Sequence, residues 1–135
     1  MGSLDDLKIL DFSTLLPGPY ATLMLADMGA EVLKISSASR PDIVLDYPPF
    51  IGDTGVSASQ AWLGRNKKTM FLNLKTGEGK AVVKELVKEY DIVLEQFRPG
   101  VMEKLGLGYE DLKAVNPKLI YCSLTGYGQT GPLRD

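Results

Sequence analysis

The chain has 135 residues, enough for one domain, with 44% hydrophobic residues, 24% charged residues and a formal net charge of −2. This composition is typical of a folded protein and argues against disorder, and the small charge argues against nucleic-acid or anionic-membrane partners. The absence of histidine and the presence of one cysteine, Cys122, exclude an internal disulfide and argue against a zinc site or any other metal site.

Further features of the sequence concern the membrane, secretion and the cellular compartment. No apolar run approaches the roughly 20 residues that span a bilayer, and the first residues lack the basic and apolar regions of a signal peptide. With one cysteine, a reducing cytoplasm is the expected location. Cys122 itself lies in an apolar run and is expected to be a small buried hydrophobe.

The first third of the chain predicts a β-α-β unit. A strand is expected over 7–12, and the Pro-Gly-Pro turn at 17–19 suits the first turn of a helix. The helix, 20–28, is apolar almost all round and is therefore expected to be buried. Gly29 is placed to end it, and a second strand follows at 32–35.

Residues 36–64 are expected to form a long loop, because Pro41, Pro48, Pro49, Gly52 and Gly55 interrupt them and no period is sustained. A strand then follows at 69–74, and Thr76 is the predicted N-cap of the next helix. The remaining predicted elements are a buried strand at 92–94, short helices at 99–105 and 110–115, and a last strand at 119–124. Short apolar strands that alternate with helices predict an α/β fold with a doubly wound, mostly parallel, Rossmann-like sheet.

Ligands of such sheets bind beyond the carboxyl ends of the strands, so the turns after the strands carry the chemistry. The dinucleotide fingerprint G-x-G-x-x-G is absent, because the turn after the first strand holds the single glycine Gly18. The P-loop is absent as well, since Leu74 stands where its first glycine would be and Ala81 where its Ser or Thr would be. Basic residues are the remaining candidates for an anionic ligand. Most are expected to be solvated, but Arg40, Lys75 and Lys104 lie near strand ends, where a phosphate would bind.

Taken in order, five stretches resemble the N-terminal part of the class III CoA-transferase family, which also contains the 2-methylacyl-CoA racemases. They are residues 10–19, 25–35, 65–75, 96–106 (with QFRPG at 96–100) and 119–132 (with GYGQTGP at 126–132). The resemblance implies that residues 1–135 form part of a CoA-binding α/β domain, the N-terminal half of the large domain. Coenzyme A or its acyl thioester would be the substrate.

The resemblance also implies site residues. Those implied to contact the coenzyme are Leu15, Leu16, Pro17, Arg40, Leu72, Lys75, Gln96, Phe97 and Lys104. Arg40 and Lys104 would meet phosphates, Leu72 and Lys75 the adenosine, and the pair at 96–97 the pantetheine arm. Tyr127 and Gln129 lie in the glycine-rich turn expected near the thioester, although a plain surface turn is the competing interpretation. The turn at 15–17 would also serve simply as a helix entry.

Two reactions remain open on this basis. In the family's transferases an aspartate forms an acyl anhydride and then a CoA thioester, and in its racemases a histidine and an aspartate exchange the α-proton. Both sites are expected beyond Asp135, which is not itself assigned the role, so no catalytic residue is assigned and the chain alone is expected to be inactive. It is expected to be a fragment of a longer enzyme or the product of a shortened gene.

Transfer of CoA between carboxylic acids is the first hypothesis, and racemisation is the alternative, since RPGVM at 98–102 and the turn at 126–132 resemble that branch slightly more. A non-catalytic nucleotide-binding or interaction module is a further alternative. So is a fragment that is stable only when docked on its missing half, because the family forms interlocked homodimers.

Overall fold

The computed structural model describes residues 2–134 and shows a five-stranded, all-parallel sheet between helices. Its strands are β1 (Lys8–Asp11), β2 (Glu31–Ser36), β3 (Lys67–Phe71), β4 (Ile92–Glu95) and β5 (Ile120–Ser123). They lie in the order β3-β2-β1-β4-β5. Because the chain leaves β1 toward one edge and returns beside it with β4, the strand order reverses between these two strands.

In the described part of the chain, five α-helices connect the strands. They are α1 (Pro17–Asp27), α2 (Ala58–Leu63), α3 (Gly77–Val87), α4 (Val101–Leu105) and α5 (Tyr109–Lys113). Successive strand residues point to opposite faces, so Leu10 and Val93 pack with Val83 of α3 and Leu112 of α5 on one face. Ile9, on the other face, packs with residues of α1. Helices therefore cover both faces, which confirms the predicted α/β class.

Local chemistry explains the best-predicted boundaries. The Thr76 hydroxyl accepts a hydrogen bond from the Gly79 amide at 3.1 Å and so caps α3 as expected. Gly29 has φ of 110°, a conformation open to glycine at little cost, and α1 ends just before it. Pro17 stands in the first turn of α1, where its missing N–H costs nothing.

Two expected elements differ from the structure. The long loop contains a short 3-10 helix, Ile43–Leu45, and the helix α2, which begins at the N-cap Ser57. With six residues, α2 is too short for its apolar period to stand out from the loop around it. The third strand lies over Lys67–Phe71 rather than 69–74. Leu72 and Leu74 follow the strand and still pack on the main core, which produced the apolar alternation.

The expectation that Cys122 is buried is wrong, because the side chain is exposed. Cys122 lies in β5, which forms one edge of the sheet within residues 2–134. Its neighbour Tyr121 faces the core, whereas Ile120 and Cys122 point to the uncovered side. An apolar strand sequence indicates which residues could be buried, but an edge strand can leave one of its faces open.

The first helix is also less buried than its composition suggests. Thr22, Leu23 and Ala26 are buried against the sheet, but Tyr20, Met24 and Met28 are exposed. The Tyr20 ring lies 5.7 Å from that of Trp62 in α2, which is also about half exposed. We refer to Tyr20, Met24, Met28 and Trp62 as the α1 patch. No helix in residues 2–134 is long and apolar enough to cross a membrane.

Candidate functional site

The carboxyl ends of β1 and β4 define the candidate site, because ligands of open parallel sheets bind where the strand order reverses. The chain leaves β1 through a sharp turn in which Leu15 has φ of 62°. A positive φ is unusual for leucine and has to be held in place by surrounding contacts. Leu15 and Leu16 are both about half exposed at this edge, so the turn presents two apolar side chains to solvent.

A fully buried carboxylate lies beneath the turn. Asp11, the last residue of β1, accepts hydrogen bonds from the amide and hydroxyl of Ser13 and, at 2.5 Å, from the Thr22 hydroxyl. The Lys67 ammonium lies 3.6 Å from Asp11, and the two side chains are 1% and 0% exposed. Lys67 also donates to the Pro19 carbonyl and the Thr22 hydroxyl, each at 2.7 Å. This cluster ties β1 and β3 to the first turn of α1.

This buried environment changes the pKa of Lys67. Burial lowers the pKa of its ammonium, because desolvation disfavours the charged form, and the neighbouring Asp11 carboxylate opposes that effect. The ion pair with Asp11 and the two hydrogen bonds compensate for only part of the lost hydration, because the net effect on the pKa is still a decrease.

A second buried ion pair lies beside the first. The Lys34 ammonium donates to the Ser13 carbonyl at 2.7 Å and lies 3.7 Å from the Asp42 carboxylate. Asp42 in turn accepts the Leu15 amide at 3.0 Å. The pair therefore holds the turn after β1 through both a carbonyl and an amide.

The turn after β4 joins the site through Gln96. Its side-chain oxygen accepts the Gly18 amide at 3.0 Å, which links the two turns on either side of the reversal point. A methyl group at Gly18 would collide with Ser13 and lie 2.7 Å from that same oxygen. Glycine at 18 is therefore required by the close approach of three segments.

Glu95 lies under the same turn. It is almost fully buried, and its carboxylate accepts the Phe97 amide at 2.8 Å. Burial raises the pKa of this carboxyl above its ordinary value, while hydrogen bonds from the Ser123 hydroxyl and the Phe97 amide oppose the rise. Burial likewise raises the pKa of Tyr121, which lies on the neighbouring strand. Glu95 thus links β5 to the backbone of the candidate site.

The other predicted site residues lie in segments that follow the strands of the sheet. Pro17 is exposed at the start of α1, and Leu72 and Phe97 pack partly against the main core. Exposed side chains follow β2, β3, β4 and β5, and they are Arg40, Lys75, Lys104, Tyr127 and Gln129. Gln129 borders an open groove of about 590 Å³ beside β5 that Glu103, Tyr109 and Tyr121 also line. Asp135 lies outside the described residues.

No group of three or more His, Cys, Asp or Glu side chains in residues 2–134 is placed to hold a metal ion.

The sequence profile of CoA-transferase family III matches residues 4–135. The chain belongs to this family. Its five-stranded parallel sheet is also the fold of solved family members: it aligns with a CAIB/BAIF family protein from Brucella suis with a TM-score of 0.90 and 41% identity. That alignment covers 97% of this chain and 35% of the Brucella chain.

Three further proteins are similar to nearly the whole of this chain. The chain is 42% identical to an acetyl-CoA:oxalate CoA-transferase from Acetobacter aceti, over 98% of this chain and 33% of that protein. It is 43% identical to a human succinyl-CoA:glutarate CoA-transferase, over 96% of this chain and 30% of that protein. Rv3272 from Mycobacterium tuberculosis aligns with a TM-score of 0.87 and 38% identity, over 98% of this chain and 37% of that one. The chain thus spans about a third of the length of these family III proteins.

Reasoning from the sequence missed the buried charges of this family III chain. The sequence pattern predicts that most basic residues other than Arg40, Lys75 and Lys104 are solvated, which would include Lys67, and it assigns no role to Asp11, Lys34 or Asp42. A charged residue in an otherwise apolar strand is the local sign of a buried charge, as with Lys34 in Val-Leu-Lys-Ile at 32–35 and with Asp11 between Leu10 and Phe12. The partner of Lys67 could not have been found from local sequence, because Asp11 lies far from it in the chain.

The buried pair gives a first prediction. Asp11→Ala should lower the free energy of unfolding by about 3–5 kcal/mol, because Lys67 would stay buried without its counterion. Adding Lys67→Met should recover part of the loss. Glu85→Ala is the control, since it breaks the exposed pair with Lys88 and should cost less than about 1 kcal/mol. Urea denaturation measures all three, and an Asp11→Ala cost no larger than that of Glu85→Ala would contradict the assignment.

Glu95 gives a second prediction. A raised folded-state pKa means that the folded protein binds the proton more tightly than the unfolded chain. Glu95 therefore reduces stability above its folded pKa and ceases to do so below the ordinary value of 4.5. Glu95→Gln keeps an acceptor for the Phe97 amide, so its stability relative to the wild type should be higher at pH 7 than at pH 4. Urea denaturation at both pH values tests this, and an equal or reversed difference would refute it.

Proposed function

We propose that the chain supplies part of the coenzyme A site of a CoA-thioester enzyme that transfers CoA between carboxylic acids. The observation that carries the proposal is the N-terminus of α1, which lies at the reversal point of the sheet but offers no free amide at positions 17–19. Positions 17 and 19 are prolines and lack an N–H, and the Gly18 amide is already bound to Gln96.

This arrangement argues against a dinucleotide. Dinucleotide-binding folds place a pyrophosphate on free amides at the start of the first helix. Here the corresponding surface is apolar, formed by the exposed side chains of Leu15 and Leu16 and by Pro17. An apolar surface with an amide side chain beside it fits the pantetheine arm of CoA better than it fits a pyrophosphate.

Phosphates must then be bound by side chains. Arg40, Lys75 and Lys104 follow three different strands that end at this edge and are exposed to solvent. We assign Arg40 and Lys104 to phosphates, Leu72 and Lys75 to the adenosine with its ribose phosphate, and Gln96 and Phe97 to the pantetheine arm. Guanidinium and ammonium groups bind phosphate oxygens through charge-assisted hydrogen bonds. Tyr127 and Gln129 would lie toward the thioester, and no metal is required.

The relatives' names favour transfer over racemisation, since the oxalate and glutarate enzymes are both called CoA-transferases. The chain spans about a third of their length. We therefore assign the covalent chemistry to a part of the full-length enzyme outside these 135 residues, and we expect the chain alone to bind CoA without transferring it. Racemisation of an acyl-CoA remains the alternative activity for that enzyme.

Titration calorimetry with CoA tests the proposal. Wild-type chain should bind CoA or acetyl-CoA in preference to NAD. Lys75→Ala and Lys104→Ala should each weaken CoA binding by about 10- to 100-fold, the effect of losing a hydrogen bond to a charged group. Lys118→Ala is the matched control. Lys118 is an exposed lysine just before β5, at the amino ends of the strands and away from the candidate site, so its loss should leave CoA affinity unchanged.

Other outcomes would identify the alternatives. Preference for ATP or NAD over CoA would indicate a different nucleotide-binding module. Equal CoA affinity in all three lysine variants would show that the coenzyme does not use this edge.

We also propose that the chain associates as a homodimer. The α1 patch supports this, because four large apolar side chains are exposed together on one face. Sedimentation should show concentration-dependent association, and Met24→Lys should shift it toward monomer. Val82→Lys, at an exposed apolar position of α3 on the opposite face, should not. A monomer at all concentrations would exclude this role for the patch.

A further inference from the structure

The Lys34–Asp42 ion pair connects two segments that carry separate parts of the candidate site. Its side chains are 6% and 4% exposed, so both charges are held away from water. Removing charges from water is costly, and the cost is offset only where geometry and additional hydrogen bonds are good. Each charge here has such a bond, to the Ser13 carbonyl and to the Leu15 amide.

On one side the pair holds the turn after β1. Leu15 has φ of 62°, which a leucine adopts only when its surroundings impose it. The amide of this residue is the one that Asp42 accepts, at 3.0 Å. The ion pair therefore helps to keep an unfavourable backbone conformation that exposes Leu15 and Leu16 at the site.

On the other side the pair holds the loop after β2. The second carboxylate oxygen of Asp42 accepts the Val44 amide at 3.2 Å and so caps the 3-10 helix. Arg40 precedes Asp42 by two residues, with Pro41 between them. Proline fixes its own φ and restricts the residue before it to extended conformations, so the backbone of Arg40 is closely tied to that of Asp42.

We propose that Lys34 and Asp42 are positioning residues that lock the Arg40 loop to the turn at 15–17, so that the phosphate-binding and pantetheine-binding parts of one CoA site keep a fixed separation. This rests on the proposed function above. Neither residue touches the coenzyme; each acts through the backbone it holds. The two parts of the site are then energetically coupled, and Arg40 contributes fully to binding only when Asp42 is in place.

A double-mutant cycle tests the coupling. CoA affinity is measured by titration calorimetry for the wild-type chain, Arg40→Ala, Asp42→Ala and the double variant. The loss caused by Arg40→Ala should be at least about threefold smaller in the Asp42→Ala background, since groups that share one structural element are not additive. Multiplicative losses would overturn the proposal, because the two residues would then act independently. A purely general destabilisation by Asp42→Ala would also leave the losses multiplicative.

Two further variants separate positioning from folding. Asp42→Asn keeps an acceptor for the Leu15 amide and should restore part of the affinity lost in Asp42→Ala. Asp46→Ala, at the exposed other end of the same 3-10 helix, is the matched control and should bind as the wild type does. Should Asp42→Ala fail to fold, Lys34→Gln replaces it in the cycle, because glutamine removes the charge but keeps a donor.

A ligand-free measurement distinguishes this proposal from the proposed function. Hydrogen exchange of the Leu15 amide, followed by ¹⁵N NMR, should accelerate at least tenfold in Asp42→Ala relative to Asp46→Ala. Unchanged exchange would overturn the positioning role even if CoA binds. Accelerated exchange in a chain that binds no CoA would confirm the mechanical link while refuting both the proposed function and the assignment of the pair to a CoA site.

Discussion

Two buried ion pairs, Asp11–Lys67 and Lys34–Asp42, set the geometry on which the rest of this edge depends. Three parallel strands, β1, β2 and β3, each contribute one of the charges, and Asp42 comes from the loop after β2. An apolar core of similar volume would be comparably stable, so stability alone does not explain charges at these positions. The ion pairs add specific geometry, because charged groups that lose water need hydrogen-bond partners at defined positions. Those partners are the backbone and hydroxyl groups of the turn that follows β1.

The turn shows the consequence. Ordinarily the first amides of a helix at the reversal point would be free, and a phosphate would neutralise them. In α1 two prolines remove donors and Gln96 takes the amide of Gly18 between them. The amides at positions 17–19 are therefore not available to bind an anion. The carboxyl end of β1 instead presents an apolar surface, and the basic side chains lie in the segments after β2, β3 and β4. A long ligand with an apolar arm and a charged nucleotide end matches that division.

The fold class and the order of its elements could be predicted from the sequence, because both depend on local patterns. Thr76 was identified as a helix cap from its own neighbours, and Gly29 as a helix end. Lys67 and Asp11 were not paired, because a long-range contact between single residues leaves no periodic signal. Cys122 was misjudged for a related reason: apolarity predicts that a strand can be buried, and the position of the strand in the sheet decides whether both of its faces are covered. The candidate site residues came from a family resemblance. Among them, Leu15, Gln96 and Phe97 make specific hydrogen bonds in the structure that explain their positions.

The two faces of the sheet bury hydrophobic clusters of different size, and this difference is relevant to the position of the site. On the face covered by α3, α4 and α5, twelve buried hydrophobic residues form one continuous cluster. On the α1 face the buried hydrophobic cluster has only four members, and the ion pairs occupy the space beside it. Packed hydrophobic contacts stabilise one face without reference to any ligand. The other face depends on charges whose partners are the backbone of the site, so its conformation and that of the site are held by the same interactions. A site built this way is preorganised by the fold itself: disturbing the turn would expose or orphan a buried charge, and that cost keeps the turn in place before any ligand arrives.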